Sequence, residues 1–325
     1  MEKIIIYQVF TRLFGNNNTS CVHNGDVQTN GVGKMSDFTM KALENIKKLG
    51  ATHIWYTGLI EHATQTDHTS FGIKKDNPAV VKGKAGSPYA IKDYYDIDPD
   101  LAVSVPNRMK EFENLVQRTH RAGLKFVIDF VPNHVARQYH SDSAPEGVIN
   151  LGEDDNKDCA FSNQNNFYYI PGTQLSAQFD LKDYIEFPAR ATGNDNFSAN
   201  PGINDWYETV KLNYGVDYNG GRTNHFDPIP DTWHKMLHIL LFWAGKKVDA
   251  FRCDMAEMVP VDFWHWAIPQ VKEQYPHIIF IAEVYNPAEY RNYLHYGHFD
   301  YLYDKVGLYD TLKAVTNDWI SAQNI

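Results

Sequence analysis

Residues 247–258 read KVDAFRCDMAEM and place an arginine and an aspartate at the end of an apolar run. A charge buried without a partner costs several kcal/mol, so Arg252 and Asp254 need a reason to stand there. One explanation is a structural ion pair between the two residues. The other is a catalytic carboxylate that is held by an arginine, and the rest of the chain bears on the choice.

This stretch ends a pattern that occurs three times along the chain. Apolar residues at helical spacing are followed by a glycine and then by an apolar run of strand length. Glycine tolerates the left-handed conformation that commonly ends a helix, so each unit predicts a helix, a short loop and a strand. The predicted helices are 37–49, 108–122 and 232–244, the glycines are Gly50, Gly123 and Gly245, and the strands are THIWYTG, KFVIDFV and KVDAFRC.

Three further apolar runs bring the predicted strands to six: IIIYQVF at 4–10, IIFIAEV at 278–284 and FDYLYD at 299–304. Nearly continuous apolar strands that alternate with helices indicate a parallel sheet covered on both faces. This α/β alternation fits a TIM (β/α)8 barrel or a doubly wound sheet. No glycine-rich phosphate loop follows the first run, which disfavours a nucleotide-binding doubly wound fold.

One connection is far longer than the others. Between Val131 and Thr232 lie roughly a hundred residues rich in Asn, Asp, Gly, Tyr and Phe, and structureless loops of that size are uncommon in compact domains. We therefore predict a small folded insertion after the third strand.

The composition argues against several classes of function. A formal net charge of −10 and the absence of a Lys/Arg cluster argue against binding nucleic acid through its phosphates. No stretch reaches the ~18 apolar residues of a membrane span, and MEKIIIYQVF is typical of a strand, which predicts a cytoplasmic protein if Met1 is the native start. Three widely spaced cysteines predict no disulfide framework. The 20 Tyr, 18 Phe and 7 Trp, many in polar company, favour a carbohydrate ligand.

Alternate residues of a barrel strand point into the lumen, and catalytic groups lie at the C-terminal ends of the strands. On VDAFRCD this alternation gives Arg252 and Asp254 the same inward side. It also turns Asp129 of KFVIDFV inward, and Glu283 lies at the exit of IIFIAEV. Three strands thus deliver an acid to the same end of the sheet.

Acids that converge beside an arginine have several uses. Carboxylates alone suit calcium or magnesium, whereas a glycosidase needs one acid as nucleophile and one as a proton carrier with a raised pKa. Arg252 should favour the ionised form of Asp254, as a nucleophile requires. Glu283 has no adjacent cation in the sequence and is the better proton carrier. A structural ion pair stays open as an alternative at this point.

Three motifs in order carry a family resemblance. DFVPNH at 129–134, AFRCD at 250–254 and IAEV at 281–284 resemble three of the four short conserved regions of the alpha-amylase family of glycoside hydrolases. YQVFTRLFG near the start, SPYAIKDYYDIDP at 87–99 and DPIPDTW at 227–233 resemble further family segments, and the long connection matches the position of the family's domain B. The resemblance implies a TIM barrel with residues 1–134 and 231–325 in the barrel and 135–230 in domain B.

The resemblance also implies roles for single residues. Asp254 would be the nucleophile, Glu283 the general acid/base, and Arg252 would orient and polarise Asp254. The remaining matches are His134, which would hydrogen-bond the sugar, Tyr89, which would stack under it, and Asp129, which would hold polar neighbours including Arg252. Asn133 matches a position that ligates calcium in many members.

Two departures from the family pattern have consequences. Calcium-dependent members usually carry Lys-His where this chain has Glu257 and Met258, so no cofactor is certain and calcium is doubtful. The family's fourth region, with its third catalytic acid, has no match here. We therefore expect about six of the eight βα units in this chain, with the C-terminal part of the barrel supplied by a longer protein and little activity from these 325 residues alone.

The sequence therefore predicts a retaining glycosidase acting on α-linked glucans or maltooligosaccharides. A transglycosylase, an isomerase or a phosphorylase would share the covalent intermediate and the motifs. A carbohydrate-binding scaffold without chemistry is a third option. The expected partner is a carbohydrate substrate, with neither nucleic acid nor membrane involved.

Overall fold

The computed structural model describes residues 3–324. The six predicted strands form one sheet in chain order, and each pair of neighbours is parallel. A doubly wound sheet reverses its strand order at a switch point, so the unbroken order supports the barrel type. The six strands are Ile6–Phe10, His53–Thr57, Lys125–Phe130, Ala250–Cys253, Ile279–Ala282 and Tyr301–Leu302.

Helices connect the strands as the glycine-terminated pattern predicted. The α-helices are Val27–Asn30, Met40–Lys48, Arg108–Arg121, Asp231–Gly245, Val261–Gln274 and Asp310–Thr316. Single turns of 3-10 or π type are Met35–Asp37, Thr69–Phe71, Pro78–Val80, Pro99–Leu101, Val105–Asn107, Ala256–Met258, Pro287–Glu289, Asn292–Tyr296, Lys305–Tyr309 and Ala322–Asn324. Across residues 3–324, every helix is too short or too polar to span a bilayer.

Two of the three predicted helix-ending glycines behave as expected. Gly50 and Gly123 have φ of +91° and +71°, the left-handed conformation that costs glycine little. The prediction for Gly245 is wrong, because this glycine is the last residue of its helix and the left-handed residue is Lys247, with φ of +68°. The helix therefore includes Gly245 and ends one residue later than the predicted range of 232–244.

The inward and outward faces of the strands follow the predicted alternation. Phe126, Ile128, Phe130 and Phe251 belong to the main core under the helices. A separate lumen cluster is formed by Trp55, Val127, Ala250 and Ile281. Because the register pairs Ala250 with Val127 and Arg252 with Asp129, the polar inward residues stand one layer above this cluster.

Short antiparallel ladders occupy the long connection after the third strand. The pairs are His134–Ala136 with Thr209–Lys211, Tyr169–Ile170 with Ala189–Arg190, and Val216–Asp217 with Thr223–Asn224. A further antiparallel pair, Ile60–His62 with Ile91–Ile97, follows the second barrel strand. Along the chain, these ladders follow the second and third barrel strands. In a barrel, the connections that follow the C-terminal ends of the strands shape the cavity.

Candidate active site

Five of the seven residues singled out from the sequence line one cavity of about 370 Å³. Four of them lie at or after the C-terminal ends of the third to fifth strands, and Tyr89 lies in the connection between the second and third. Parallel strands deliver their C-terminal ends to one rim. Three larger cavities, of about 510, 530 and 610 Å³, are lined by residues other than these acids. The five residues are Tyr89, His134, Arg252, Asp254 and Glu283.

Arg252 binds three carboxylates at once. Its Nη1 lies 2.6 Å from Oδ1 of Asp254 and 3.3 Å from Oδ1 of Asp129, and its Nη2 lies 2.7 Å from Oε2 of Glu283. Glu283 has no adjacent cation in the sequence, but the fold brings Arg252 against it. The register of the fourth and fifth strands pairs Cys253 with Ala282, which brings the following residues, Asp254 and Glu283, side by side.

Asp254 is 5% exposed, and its burial dominates its titration. Burial raises the pKa of the Asp254 carboxyl above its ordinary value; the charge of Arg252 lowers it without cancelling this shift, and the charge of Glu283 raises it further. The predicted direction of the Arg252 contribution is confirmed. Burial outweighs this contribution, and the sequence does not show how much water the carboxylate loses.

Two hydrogen bonds besides the Arg252 contact fix the carboxylate of Glu283. The hydroxyl of Tyr285 donates to Oε1 at 2.5 Å, and the backbone N–H of Met255 donates to Oε2 at 2.8 Å. Met255 directly follows Asp254 and has φ of +44°, a conformation that non-glycine residues adopt at a cost. This turn ties the backbone after Asp254 to Glu283.

Aromatic rings surround the guanidinium of Arg252. Its central carbon lies 4.9 Å from the ring centroid of Trp55 and 5.5 Å from those of Tyr89 and Tyr303. The hydroxyl of Tyr303 also accepts a hydrogen bond from Nε at 2.9 Å. Cation–π contacts and this hydrogen bond leave the guanidinium little freedom to rotate away from its carboxylates.

Asp129 contacts Arg252 from outside the cavity lining. Its Oδ2 accepts a hydrogen bond from the indole N–H of Trp55 at 2.9 Å, and its Oδ1 faces Arg252. Burial raises the pKa of Asp129 to about 6, although Arg252 and Trp55 both act to lower it. Because Asp129 contacts Arg252 and is not among the residues lining the cavity, its position suits an anchor for the arginine.

His134 forms part of the cavity wall. The amide nitrogen of Asn133 lies 3.1 Å from Nδ1, and an amide N–H can only donate, which assigns the ring hydrogen to Nε2. Burial, together with the charge of Lys211, lowers the pKa of His134 to about 3, so the ring is neutral at pH 7. The ring of Trp206 packs beside it, with 5.2 Å between centroids.

Other residues that line the cavity were not singled out from the sequence. Most come from loops without a periodic pattern, and only their aromatic, polar composition hinted at a ligand. Lys82 and Glu208 form an ion pair of 3.1 Å among them. The residues are Lys82, Ser87, Trp206, Glu208, Thr209 and Met255.

The surroundings of Asn133 do not fit a calcium ion. Its Oδ1 accepts a hydrogen bond from Nζ of Lys211 at 2.5 Å, and its amide donates to the carbonyl of Gly193 at 2.8 Å. The same Nζ lies 2.7 Å from Oδ1 of Asp195 and 3.4 Å from the carbonyl oxygen of Met258. A buried ammonium thus occupies the oxygen ligands that calcium would need.

Glu257 stabilises a neighbouring loop. Its Oε2 accepts hydrogen bonds from the backbone N–H groups of Tyr285 at 2.8 Å and Asn286 at 3.0 Å. Glu257 is therefore engaged with the loop that follows Glu283, and the cavity is lined on this side by Met255.

Comparisons with known proteins point to one family. A family model described as the alpha amylase catalytic domain matches residues 8–301. The chain is 28% identical over 261 residues to trehalose-6-phosphate hydrolase from Bacillus subtilis, covering 80% of this chain and 36% of that protein. It is 28% identical over 139 residues to alpha-1,4-glucan:maltose-1-phosphate maltosyltransferase from Cereibacter sphaeroides, covering 41% of this chain and 22% of that protein.

Among solved structures, an alpha-amylase from Lactobacillus plantarum shares the fold, with a TM-score of 0.58 and 24% identity. The superposition covers 98% of this chain and 57% of that chain. The chain thus spans between 22% and 57% of the length of these three proteins.

Proposed function

Because the chain belongs to the alpha-amylase family of glycoside hydrolases, whose catalytic-domain model matches residues 8–301, we propose that it is part of a retaining glycosidase. Its substrates would be starch-like glucans or maltooligosaccharides with α-glucosidic bonds. The observation that carries this proposal is the pair of carboxylates, Asp254 and Glu283, held side by side by Arg252 in one cavity.

In the proposed reaction Asp254 attacks the anomeric carbon while Glu283 donates a proton to the departing glycosidic oxygen. Glu283 then takes a proton from water, and the water oxygen displaces Asp254 from the sugar. Arg252 offsets the cost of an ionised Asp254 in this buried position. Two substitutions at the same carbon return the α configuration, and the two carboxyl groups are expected ~5–5.5 Å apart.

The walls of the cavity support a sugar as the ligand. Tyr89 and Trp206 offer aromatic faces, which suit the apolar face of a pyranose ring. His134, neutral and buried, suits a hydrogen bond with a sugar hydroxyl. Asp129 is proposed to act on Arg252 and not on the sugar itself.

The charges at the cavity favour a sugar without a phosphate group. The names of both sequence relatives contain a phosphorylated sugar. Lys82 and Arg252, the two basic residues lining this cavity, are each paired with carboxylates. A phosphate would have to compete with those acids for its cation.

Glycosyl transfer is the second candidate, because one sequence relative is a maltosyltransferase and the covalent intermediate would be the same. Isomerase or phosphorylase activity would share that intermediate too. A carbohydrate-binding scaffold is the third candidate, against which the retained Asp254, Glu283 and Arg252 argue.

We also propose that residues 135–230 form the family's domain B between two barrel segments, 1–134 and 231–325. The short ladders within that segment support this assignment. Among residues 3–324 the first and sixth strands each pair with one neighbour, so further strands from a longer protein are proposed to complete the barrel and supply the third acid.

The test uses the intact protein with maltoheptaose and follows the first-formed anomer by NMR. Retention predicts the α anomer first, and a 5-fluoro-glycosyl fluoride should leave a label on Asp254 that mass spectrometry locates. Asp254→Asn should abolish turnover while leaving binding, whereas Glu146→Gln, at an exposed site, should change nothing. A β anomer formed first, or a label on another residue, would overturn the mechanism; binding without any turnover would favour the scaffold.

A further inference from the structure

Three buried acids meet away from the cavity, in the ladder that follows the second barrel strand. Glu61 lies on Ile60–His62, and Asp93 and Asp96 lie on Ile91–Ile97. One ligand oxygen from each residue lies within 4.8 Å of those of the other two. Their exposures are 2%, 1% and 2%, so water does little to screen the three carboxylates from one another.

Surrounding donors hold Asp93 firmly in place. The hydroxyl of Ser141 and the backbone N–H of Tyr95 donate to its Oδ1, at 2.6 and 2.8 Å. The backbone N–H groups of Asp142 and Ser143 donate to its Oδ2, at 2.9 and 3.1 Å. Four donors thus fix the orientation of the Asp93 carboxylate.

Asp96 is held in a similar way. The guanidinium of Arg108 and the hydroxyl of Ser143, at 2.6 Å, donate to its Oδ2, and the backbone N–H of Ile97 donates to Oδ1 at 2.7 Å. Asp93 and Asp96 therefore form one side of a rigid group of oxygens.

Glu61 differs from both, because within residues 3–324 no donor reaches its buried Oε2. Its Oε1 lies 3.6 Å from Nζ of Lys92, a distance beyond a normal hydrogen bond. The same Nζ lies closer to Asp76, at 3.2 Å from Oδ2. A buried carboxylate oxygen without a donor points to a ligand that supplies positive charge there.

The nearest bases do not balance these acids. Four buried carboxylates, those of Glu61, Asp76, Asp93 and Asp96, face the cations of Lys92 and Arg108. The neighbouring Asp98 has His62 as its partner, with 3.5 Å between Nδ1 and Oδ2. If all four acids are ionised, two negative charges in this group are left to be neutralised.

We propose that Glu61, Asp93 and Asp96 bind a divalent cation of the Ca²⁺ class. Oxygens up to 4.8 Å apart can share one such ion, because Ca²⁺–oxygen distances are about 2.3–2.6 Å. The all-oxygen ligand set disfavours zinc, which prefers nitrogen and sulfur. The ion would join the ladder to the Ser141–Ser143 segment and, through Asp96, to the helix that begins at Arg108.

A proton on Glu61 is the competing explanation, because burial raises the pKa of Glu61 well above its ordinary value. The two explanations differ in their response to calcium. A protonated Glu61 would leave the melting temperature unchanged by Ca²⁺, and Glu61→Gln would mimic that neutral state at no loss of stability.

The test strips the intact protein with EDTA, titrates it with CaCl2 by calorimetry, and records thermal melts with Ca²⁺ or EDTA. Wild type and the exposed control Glu146→Gln should bind Ca²⁺ and melt higher with it. Glu61→Gln should bind at least ~tenfold more weakly and lose that increment. If Glu61→Gln fails to fold, Glu61→Met replaces it. No calcium binding by wild type, or equal affinity in the Glu61 variant, overturns the site.

Discussion

Nη2 of Arg252 lies 2.7 Å from Oε2 of Glu283, so the arginine beside the proposed nucleophile also binds the proposed proton carrier. The other terminal nitrogen lies 2.6 Å from Asp254. The planar guanidinium reaches the two carboxylates with different terminal nitrogens, and the point charge of a lysine ammonium offers no such fixed fork. Arg252 is thus a positioning residue for both acids, and this role can be separated from its charge.

Arg252→Lys tests that role, because lysine keeps the positive charge but presents a single point of contact. The change should lower kcat on maltooligosaccharides by about 100-fold or more, since small displacements of reacting groups have effects of that size. Arg291→Lys, at an exposed position, is the matched control and should keep wild-type kcat. Turnover by Arg252→Lys within twofold of wild type would contradict the positioning role.

The raised pKa of Asp254 should appear in the pH dependence of kcat/KM. Asp254 must be ionised to attack, so activity rises with pH as this carboxyl loses its proton. Burial raises its pKa, which should move the acid limb above the ~3.9 of an ordinary aspartate. Removing the opposing charge with Arg252→Met should move the residual limb further up. An acid limb at the ordinary value in wild type would refute this reading of the site.

Trp55→Phe separates the two contacts of the indole. The phenyl ring keeps a face near Arg252 but loses the N–H that donates to Oδ2 of Asp129 at 2.9 Å. A buried acceptor left without its donor costs about 1–3 kcal/mol, which should lower the free energy of unfolding measured in urea. Trp319→Phe, where the ring is 71% exposed, is the control and should leave that free energy nearly unchanged.

The sequence predicted the strand faces because the side chains of a strand alternate with a period of two. The inward placement of Arg252 and Asp129 followed from this rule, and the register that pairs them confirms it. Trp55 lies opposite Val127 in the same inward cluster, so the same alternation accounts for its place in the lumen. Strand periodicity was therefore sufficient for the lumen.

The contacts of Glu283 and Asn133 could not be predicted in this way. Glu283 meets Arg252 because of the register between the fourth and fifth strands. The apolar pattern of each strand, taken by itself, does not encode that register. Lys211 reaches Asn133 from the long connection, where no hydrophobic period shows which side chains turn inward. Burial, which decides the pKa of Asp254, likewise depends on residues distant in sequence.

Lys211→Met should reveal how much the buried ammonium contributes. Its side chain is 2% exposed, and its loss leaves Oδ1 of Asn133 and the carboxylate of Asp195 without their cation. Removing one partner of a buried pair costs about 3 kcal/mol, which should appear as a lower free energy of unfolding. Lys313→Met, at an exposed site, should leave that free energy near wild type. An unchanged free energy in Lys211→Met would show that the ammonium has no structural role.

Asp249 should make the protein sensitive to acid at the opposite end of the fourth strand. Burial alone would raise its pKa, but hydrogen bonds from His120, the N–H of Phe126 and Lys125 lower it to about 2. A carboxyl with a lowered folded-state pKa stabilises the fold above its unfolded value of ~3.9, and this stability is lost as pH falls towards 2.

Asp249→Asn should therefore cost about 2 kcal/mol of unfolding free energy at pH 7. The difference from wild type should shrink as pH falls from about 5 to 2, because the wild-type carboxyl becomes protonated over that range. Urea denaturation at a series of pH values measures it, with the exposed Asp158→Asn as the control. A difference that stays constant over this range would mean that the lost hydrogen-bond geometry, and not the charge of Asp249, determines its contribution.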